Sequence, residues 1–221
     1  NIDGFEKFCN FCKRKNINKV IYASSSSVYS DENNGEFFEH RSKIMPKSIY
    51  GKSKLHNEEY AQKNCMKNNV DMVGLRFFSV YGPWGRPDMA YYLFTEQLKN
   101  KKPITLYNNG QMYRDMTYID DIIDGIVSSI EYVGNKEDLG SHEIFNLGNN
   151  KPVSTIELLD QLKKNLNLVK NFSVITKDSK NESYYTHASI EKAQRILGYN
   201  PKVSFRTGIS NFLEWHEKYT K

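Results

Sequence analysis

The chain has 221 residues, of which 38% are hydrophobic and 13% aromatic, enough apolar material for one large or two small packed cores. No run of about 18 apolar residues occurs, and the first residues carry no signal-peptide pattern, which argues against a membrane span and against secretion. The 31 basic and 26 acidic residues are intermixed, so the net charge of +5 forms no basic block. We therefore expect a cytoplasmic globular protein that binds neither nucleic acid nor a membrane.

The three cysteines, Cys9, Cys12 and Cys65, are an odd number, which argues against a disulfide framework and fits a reducing compartment. Cys9 and Cys12 form a C-x-x-C pair, but this pair lies within an amphipathic helical pattern and the sequence has no second pair. We interpret both as thiols on a buried helix face. The histidines also lack metal-ligand spacing, so no metal site is predicted.

Helix and strand patterns alternate in the first part of the chain. Apolar residues at helical spacing begin near Phe5, and residues 19–24 (KVIYAS) form a short apolar strand pattern that runs into serines. Residues 48–68 are helical in pattern, and residues 72–78 (MVGLRFF) predict a second buried strand. This alternation predicts an α/β fold with a mostly parallel sheet and crossover helices.

A loop rich in glycine and proline, residues 81–87 (YGPWGRP), precedes the remaining elements. No predicted strand runs into a G-x-G-x-x-G or G-x-x-G-x-x-G turn, the loop that holds a dinucleotide pyrophosphate at a helix start. Either the chain binds no dinucleotide or it begins after that motif. Beyond the loop, the pattern predicts strands at 104–107, 114–118 and 143–147 and helices at 89–101, 119–133, 155–166, 190–197 and 207–219.

Tyr50 and Lys54 form a Y-x-x-x-K motif on the predicted helix, where a four-residue spacing places both side chains on one face. A cation near a phenol favours the phenolate, so a tyrosine that normally titrates near pH ~10 becomes a usable base at neutral pH. The motif alone is weak, because this spacing also occurs on many solvated helices. Its context is the serine run that ends the preceding strand, where ligands of α/β sheets bind.

Ser25, Tyr50 and Lys54, in that order, resemble the triad of the short-chain dehydrogenase/reductase superfamily in its extended branch, the NAD-dependent epimerase/dehydratase family. L-R-F-F-S-V-Y-G-P (75–83), R-D-M-T-Y-I-D-D (114–121) and K-A-x-x-x-L-G-Y-x-P (192–201) resemble the same branch. The resemblance implies that Tyr50 takes the proton of a sugar 4-hydroxyl while Ser25 shares a hydrogen bond with that oxygen. It also implies NAD as the cofactor, bound at Tyr50, Lys54 and Phe78.

The segments 22–29 and 81–90 are most similar to UDP-glucuronate 4-epimerases, which interconvert UDP-glucuronate and UDP-galacturonate. A sugar carboxylate requires a cation or several hydroxyl donors, and the resemblance places Arg86, Ser26, Ser27 and Ser79 around it. Two structural alternatives stay open: an ion pair of Arg86 with Asp88, and capping of main-chain groups by Ser26 or Ser27. The serine run lacks the acids of 4,6-dehydratases and of UDP-glucuronate decarboxylases, which disfavours both reactions.

For the nucleotide, the resemblance implies Arg114 at the diphosphate, Tyr107 near the uracil and Glu182 at the ribose, where relatives commonly have aspartate. An ion pair between Arg114 and the adjacent Asp115 is the structural alternative. Two other functions remain open. One is 4-epimerisation of UDP-glucose or UDP-N-acetylglucosamine, and the other is a non-catalytic UDP-sugar-binding remnant.

Relatives begin with a βαβ unit that carries the glycine turn, so the resemblance covers their carboxyl-terminal two-thirds. We expect an incomplete Rossmann-type, doubly wound parallel sheet formed by 1–80 and 115–150, and a smaller α/β substrate domain formed mainly by 81–114 and 151–221. The strand next to the missing unit should be left as an open edge. The family also implies a homodimer. We expect this chain by itself to bind NAD poorly and to be an inactive or weakly active fragment.

Overall fold

A computed structural model describes residues 1–30, 35–40, 42–168, 173–178 and 184–219. Its first four elements are α1 (Ile2–Arg14), β1 (Lys19–Ser25), α2 (Ile49–Asn68) and β2 (Asp71–Phe77). The predicted bounds of β1, α2 and β2 are confirmed to within one residue. The hydrophobic periods of this part of the sequence are therefore sufficient to identify its elements.

The second part of the chain contains every strand and helix that the pattern predicts, together with three short strands that it does not predict. Two of these have three residues each, too few for alternation to be recognised, and the third is exposed along its whole length. The elements are β3 (Ser79–Tyr81), α3 (Ala90–Lys99), β4 (Ile104–Tyr107), β5 (Tyr113–Tyr118), α4 (Ile119–Gly134), β6 (His142–Leu147), β7 (Pro152–Ser154), α5 (Thr155–Asn165), β8 (Val174–Lys177), α6 (Glu191–Leu197) and α7 (Phe205–Tyr219).

The first sheet is parallel and has the strand order β1-β2-β6. Alternate residues of its strands enter different cores, because successive side chains of a strand point to opposite faces. Val20 and Met72 pack with residues of α1 and α2, whereas Val73 and Leu75 pack with Ile122 of α4. Helices therefore cover both faces of this sheet, as predicted for a doubly wound fold.

In the described part of the chain, β1 pairs with β2 only, so its other edge is open, as the sequence analysis predicts. On α4, which packs on β1 and β2, Ile123, Val127 and Ile130 are exposed and recur at helical spacing. An unpaired strand edge next to a helix with an uncovered apolar stripe is a surface that can accept a further strand and helix.

The second part of the molecule is built on two small sheets and a separate core. The order β3-β5-β7 includes an antiparallel pair, β5 with β7, while β4 and β8 are parallel. Buried residues of α3, α5 and α7 surround these strands. The predicted division into two domains stays a prediction; α6 and Tyr199, which follow residue 151, pack with the first core.

No helix among the described residues combines the length and the apolar character that crossing a bilayer requires.

Cys9 and Cys12 both lie on α1, as the sequence analysis predicts. Cys12 is buried and Cys9 is half-buried. Burial raises the pKa of the Cys9 thiol to about 11, with a smaller contribution from Cys12. A thiol with such a pKa is a poor nucleophile at neutral pH.

Candidate active site

The first turn of α2 lies directly against the serine run that follows β1. The Ser48 hydroxyl caps the helix by accepting a hydrogen bond from the Gly51 amide, at 2.9 Å. Gly51 is in such close contact with the chain that a Cβ there would clash with the main-chain oxygen of Ser27. A glycine one residue after Tyr50 thus allows the helix bearing the Y-x-x-x-K motif to approach the end of β1.

Lys54 lies between the end of β1 and Tyr50. Its Nζ donates a hydrogen bond to the main-chain oxygen of Ala23 at 2.9 Å and lies 5.7 Å from the centre of the Tyr50 ring. Burial lowers the pKa of Lys54. Tyr50 is 49% exposed, so its ring remains accessible from solvent. The predicted juxtaposition of ammonium and phenol is therefore present at the carboxyl end of a parallel strand.

Ser25 is buried, and its hydroxyl is used within the serine run. Its Oγ accepts a hydrogen bond from the Ser27 amide at 3.1 Å and donates one to the Ser27 Oγ at 3.2 Å. Ser25 thereby caps a short 3-10 turn over Ser26–Val28. The sequence analysis assigned possible capping to Ser26 or Ser27, but the capping residue is Ser25. Ser26 is half-buried and Ser27 is exposed.

A chain of buried polar side chains, not identified in the sequence analysis, lies behind these residues. Arg76 donates two hydrogen bonds to Glu58, from Nε at 2.9 Å and from Nη2 at 2.7 Å, and a third from Nη1 to the Tyr29 hydroxyl at 2.8 Å. Ser24 also donates to Glu58, and Tyr29 donates to Asn146 at 2.7 Å. Burial alone would lower the pKa of Arg76, but its contacts with Glu58 and Tyr29 outweigh burial and raise it.

This network fixes α2 against β1. Lys54 and Glu58 are one helical turn apart, and they bind the consecutive β1 residues Ala23 and Ser24. Two side chains of one helix face therefore set the position of Tyr50 relative to the serine run. The signal available in the sequence was the arginine within the otherwise apolar strand pattern MVGLRFF.

Phe78 is only 4% exposed. Its ring centre lies 6.3 Å from those of Tyr29 and Phe37, within the first core. This packing leaves little of the ring for a ligand, and the cofactor contact proposed for Phe78 stays a prediction.

A groove of about 490 Å³ lies in the second part of the molecule, between α3, α5 and strands β3, β4, β5 and β7. Its walls bring together Ser79, Tyr107 and Arg114, three of the residues predicted to bind substrate. Tyr107 is 42% exposed, and Arg114 donates a hydrogen bond to the main-chain oxygen of Tyr113 at 3.0 Å. A concave, mostly apolar site with a few polar groups is typical of small-molecule binding. Glu182 lies outside the described residues.

Arg86 does not line this groove, and its guanidinium is paired with Asp88. Nε lies 3.0 Å from Oδ1 and Nη2 lies 2.5 Å from Oδ2, with 74% and 63% of the two side chains exposed. Hydrogen bonding to Asp88 raises the pKa of Arg86, and Tyr50 makes a smaller contribution in the same direction. The same pairing holds the pKa of the Asp88 carboxyl below its usual range. The structural alternative for Arg86, an ion pair with Asp88, is thus the arrangement observed.

The loop that carries Arg86 is attached to the last helix. Trp84 has a left-handed backbone conformation, with φ of 59°. Its ring centre lies 5.3 Å from that of Trp215 and 5.2 Å from that of Tyr219, both on α7. Such aromatic pairs stabilise by about 0.5–1.5 kcal/mol beyond the area they bury. The loop between β3 and α3 is therefore held by α7 next to the groove.

Comparisons with known proteins agree with this geometry. Residues 1–148 match the NAD dependent epimerase/dehydratase family. The chain is 36% identical to UDP-glucuronate 4-epimerase 4 of Arabidopsis thaliana over 99% of this chain and 53% of that protein. It is 40% identical to an uncharacterized protein of Methanocaldococcus jannaschii over 93% of this chain and 61% of that protein. The chain therefore spans little more than half the length of these relatives.

Among solved structures, the UDP-glucuronic acid 4-epimerase of Bacillus cereus, in complex with UDP-glucuronic acid and NAD, superposes with a TM-score of 0.89. The two sequences are 32% identical, and the match covers 98% of this chain and 67% of that enzyme. The sequence motifs, the doubly wound sheet and these matches lead to one assignment. The chain belongs to the NAD dependent epimerase/dehydratase family.

Proposed function

We propose that this chain carries the reacting residues and the substrate-binding residues of an NAD-dependent UDP-sugar 4-epimerase, with UDP-glucuronate as its substrate. The observation that carries the proposal is the position of Lys54, which lies 5.7 Å from the Tyr50 ring at the carboxyl end of β1. The nearby groove, with Ser79, Tyr107 and Arg114, supplies a place for the nucleotide. The similarity to UDP-glucuronate 4-epimerases supports the choice of reaction.

In the proposed reaction, Tyr50 as a phenolate accepts the proton of the sugar 4-hydroxyl, and the Lys54 ammonium stabilises the phenolate charge. Ser25 donates a hydrogen bond to the same sugar oxygen, which requires its hydroxyl to turn away from the Ser27 Oγ, while it still accepts from the Ser27 amide. NAD, when bound, would supply the hydride acceptor and donor that oxidation and re-reduction at C4 require, and Tyr50 and Lys54 would hold its nicotinamide ribose. Tyr50 then gives its proton back to the epimerised 4-oxygen.

The residues of this chain fit NAD at one end only. Tyr50 and Lys54 lie on α2 against the end of β1, and the Tyr50 ring is accessible, so they can hold the nicotinamide ribose, with Phe78 as the predicted third contact. The pyrophosphate requires a glycine turn at a helix start, which the 221 residues do not contain. The open edge of β1 and the apolar stripe of α4 are where we place a further strand and helix carrying that turn.

We therefore expect that the chain by itself does not bind NAD in the micromolar range, because the pyrophosphate lacks its cradle. Calorimetric titration of NAD into the purified chain measures this directly. Titration of UDP into the same sample is the control, since the groove belongs to this chain. Micromolar NAD binding would contradict the proposal that these residues need a separate glycine-turn unit.

The uronate preference is assigned to Arg86 with Ser26, Ser27 and Ser79, while Tyr107, Arg114 and Glu182 are proposed ligands of the nucleotide. The pairing of Arg86 with Asp88 supports a second candidate, in which the guanidinium is not available and the substrate is a neutral UDP-hexose. A third candidate is a protein that binds UDP-sugars without catalysing a reaction. It is supported by the presence of the groove in a sequence that has no glycine turn.

The variant Arg86→Ala distinguishes uronate from neutral substrates. It should weaken binding of UDP-glucuronate by about tenfold, the lower end of the range for a charge-assisted hydrogen bond, because the site is exposed. Binding of UDP-glucose should not change. Both affinities can be measured by calorimetry on the isolated chain, with Arg195→Ala on α6 as an exposed control. Equal affinities of the wild type for both sugars, unaffected by Arg86→Ala, would favour the neutral substrate.

The assembly and domain organisation remain proposals as well. We propose that residues 1–80 and 115–150 belong to the NAD-binding part, and that 81–114 and 151–221 belong mainly to the substrate-binding part. We also propose a cytoplasmic homodimer that pairs through α1 and α2. The exposed Phe8 and Phe11 on α1 and the 87% exposed Ile49 on α2 support this dimer surface.

A further inference from the structure

The guanidinium of Arg86 is engaged by Asp88 through two of its nitrogens, Nε and Nη2. This two-point geometry is also the one by which arginine recognises the carboxylate of a ligand. The pair is formed by residues two positions apart on an exposed loop, and more than half of each side chain is accessible. Exposed ion pairs of this kind are weak, so a competing carboxylate can replace Asp88.

Asp88 also borders the ligand groove. It lies on the same wall as Met89 and Tyr91 and is the single acid among the described residues that line the groove. The predicted substrate carries a diphosphate and a sugar carboxylate, so an acid at this position opposes its binding. Asp88 therefore both lines the nucleotide groove and holds the guanidinium of Arg86.

We propose that Asp88 is a specificity-determining residue, whose carboxylate occupies Arg86 in the free protein and is displaced by the carboxylate of the incoming sugar. This inference rests on the proposed function. The exchange replaces one carboxylate on the guanidinium by another, so Arg86 is never left without an anionic partner. A neutral UDP-hexose cannot make this exchange and leaves Asp88 in place.

The exchange predicts a selective effect of Asp88→Asn, which keeps the size of the side chain and removes its charge. The affinity for UDP-glucuronate should rise by about two- to fivefold, because an exposed ion pair no longer competes. The affinities for UDP-glucose and for UDP should rise less, since they sense only the lost negative charge. The decisive quantity is the ratio of the UDP-glucuronate and UDP-glucose affinities, measured by calorimetry on the isolated chain.

Asp124→Asn is a matched control. Asp124 forms an ion pair with Lys202 at 3.8 Å, and the two side chains are 65% and 74% exposed, much like the pair of Asp88 and Arg86. Asp124 lies on α4, outside the residues that line the groove. Asp124→Asn should leave all three affinities unchanged.

Two results would overturn the inference. A weaker affinity of Asp88→Asn for UDP-glucuronate would mean that Asp88 orients Arg86 toward the substrate. An equal rise for UDP-glucuronate, UDP-glucose and UDP would mean that Asp88 acts only through its charge. The proposed function fails in a different way: Arg86→Ala then leaves the UDP-glucuronate affinity unchanged. If Arg86→Ala loses the preference for UDP-glucuronate over UDP-glucose and Asp88→Asn does not raise the UDP-glucuronate affinity, the role of Asp88 is rejected and the proposed function stands.

Discussion

Replacement of Tyr50 by phenylalanine should lower the rate of 4-epimerisation by about 10²–10⁴-fold, the usual contribution of a positioned acid or base. The substitution removes the oxygen that accepts the proton and keeps the ring that lies over Lys54. Binding of UDP-glucuronate to the groove should be nearly unchanged, because the groove residues are not altered. The effect should therefore appear in kcat and not in the substrate affinity.

The assay needs an NAD-binding unit, which we would supply by fusing the chain to the part of the Bacillus cereus enzyme that carries the glycine turn. Conversion of UDP-glucuronate to UDP-galacturonate is followed by chromatography. Tyr60→Phe is a matched control, since Tyr60 lies on the same helix α2 outside the site. A Tyr50→Phe fusion that keeps most of its activity would contradict the assignment of Tyr50 as the base.

A pattern of side-chain types along the sequence was enough to identify the helix and strand that form the candidate site. Tyr50 and Lys54 share a helix face by their spacing alone, and the strand before them ends in serines. The position of that helix on the strand depends on long-range contacts. Ser24 and Glu58 are 34 positions apart, and Arg76 lies 18 positions beyond Glu58, so no local pattern reveals the network.

The buried face of α2 explains why the network was missed. This helix buries Ser53, Asn57 and Glu58 besides its small residues Gly51 and Ala61. Hydrophobic periodicity finds a buried helix face only where that face is apolar. On α2 the polar residues of the inward face look like a solvated surface in the sequence. The capping serine was also misassigned in the sequence analysis. Which hydroxyl caps the turn depends on the backbone angles of Ser25, which the sequence does not reveal.

The pairing of Arg86 shows a further limit of the sequence. The motif Y-G-P-W-G-R-P-D-M-A allows both a ligand contact and an ion pair with Asp88, since both use the same nitrogens. The structure shows the ion pair, and the contact of Arg86 with a sugar carboxylate stays a proposal.

Replacement of Arg76 by methionine should lower the free energy of unfolding by about 3–5 kcal/mol, because it leaves the buried Glu58 carboxylate without its cation. Both side chains are almost fully buried, at 5% and 6% exposure, and Tyr29 loses its hydrogen-bond donor as well. Urea unfolding of the chain, followed by circular dichroism, measures the change. In Glu214→Gln, which breaks the exposed pair of Glu214 with Lys218, the loss should stay below about 1 kcal/mol.

The double variant Glu58→Met with Arg76→Met separates the cost of an unpaired charge from the cost of lost packing. Replacing a buried ion pair by apolar residues of similar volume is often neutral, so the double variant should regain most of the stability that Arg76→Met loses. If the double variant is as unstable as the single one, the pair does not act as a unit. In the recovered variant, α2 is no longer tied to β1 through Ser24 and Glu58. Its fusion should then fold and yet turn over more slowly than the wild type, because Tyr50 loses one of the two contacts that set its position and keeps only that of Lys54 with Ala23.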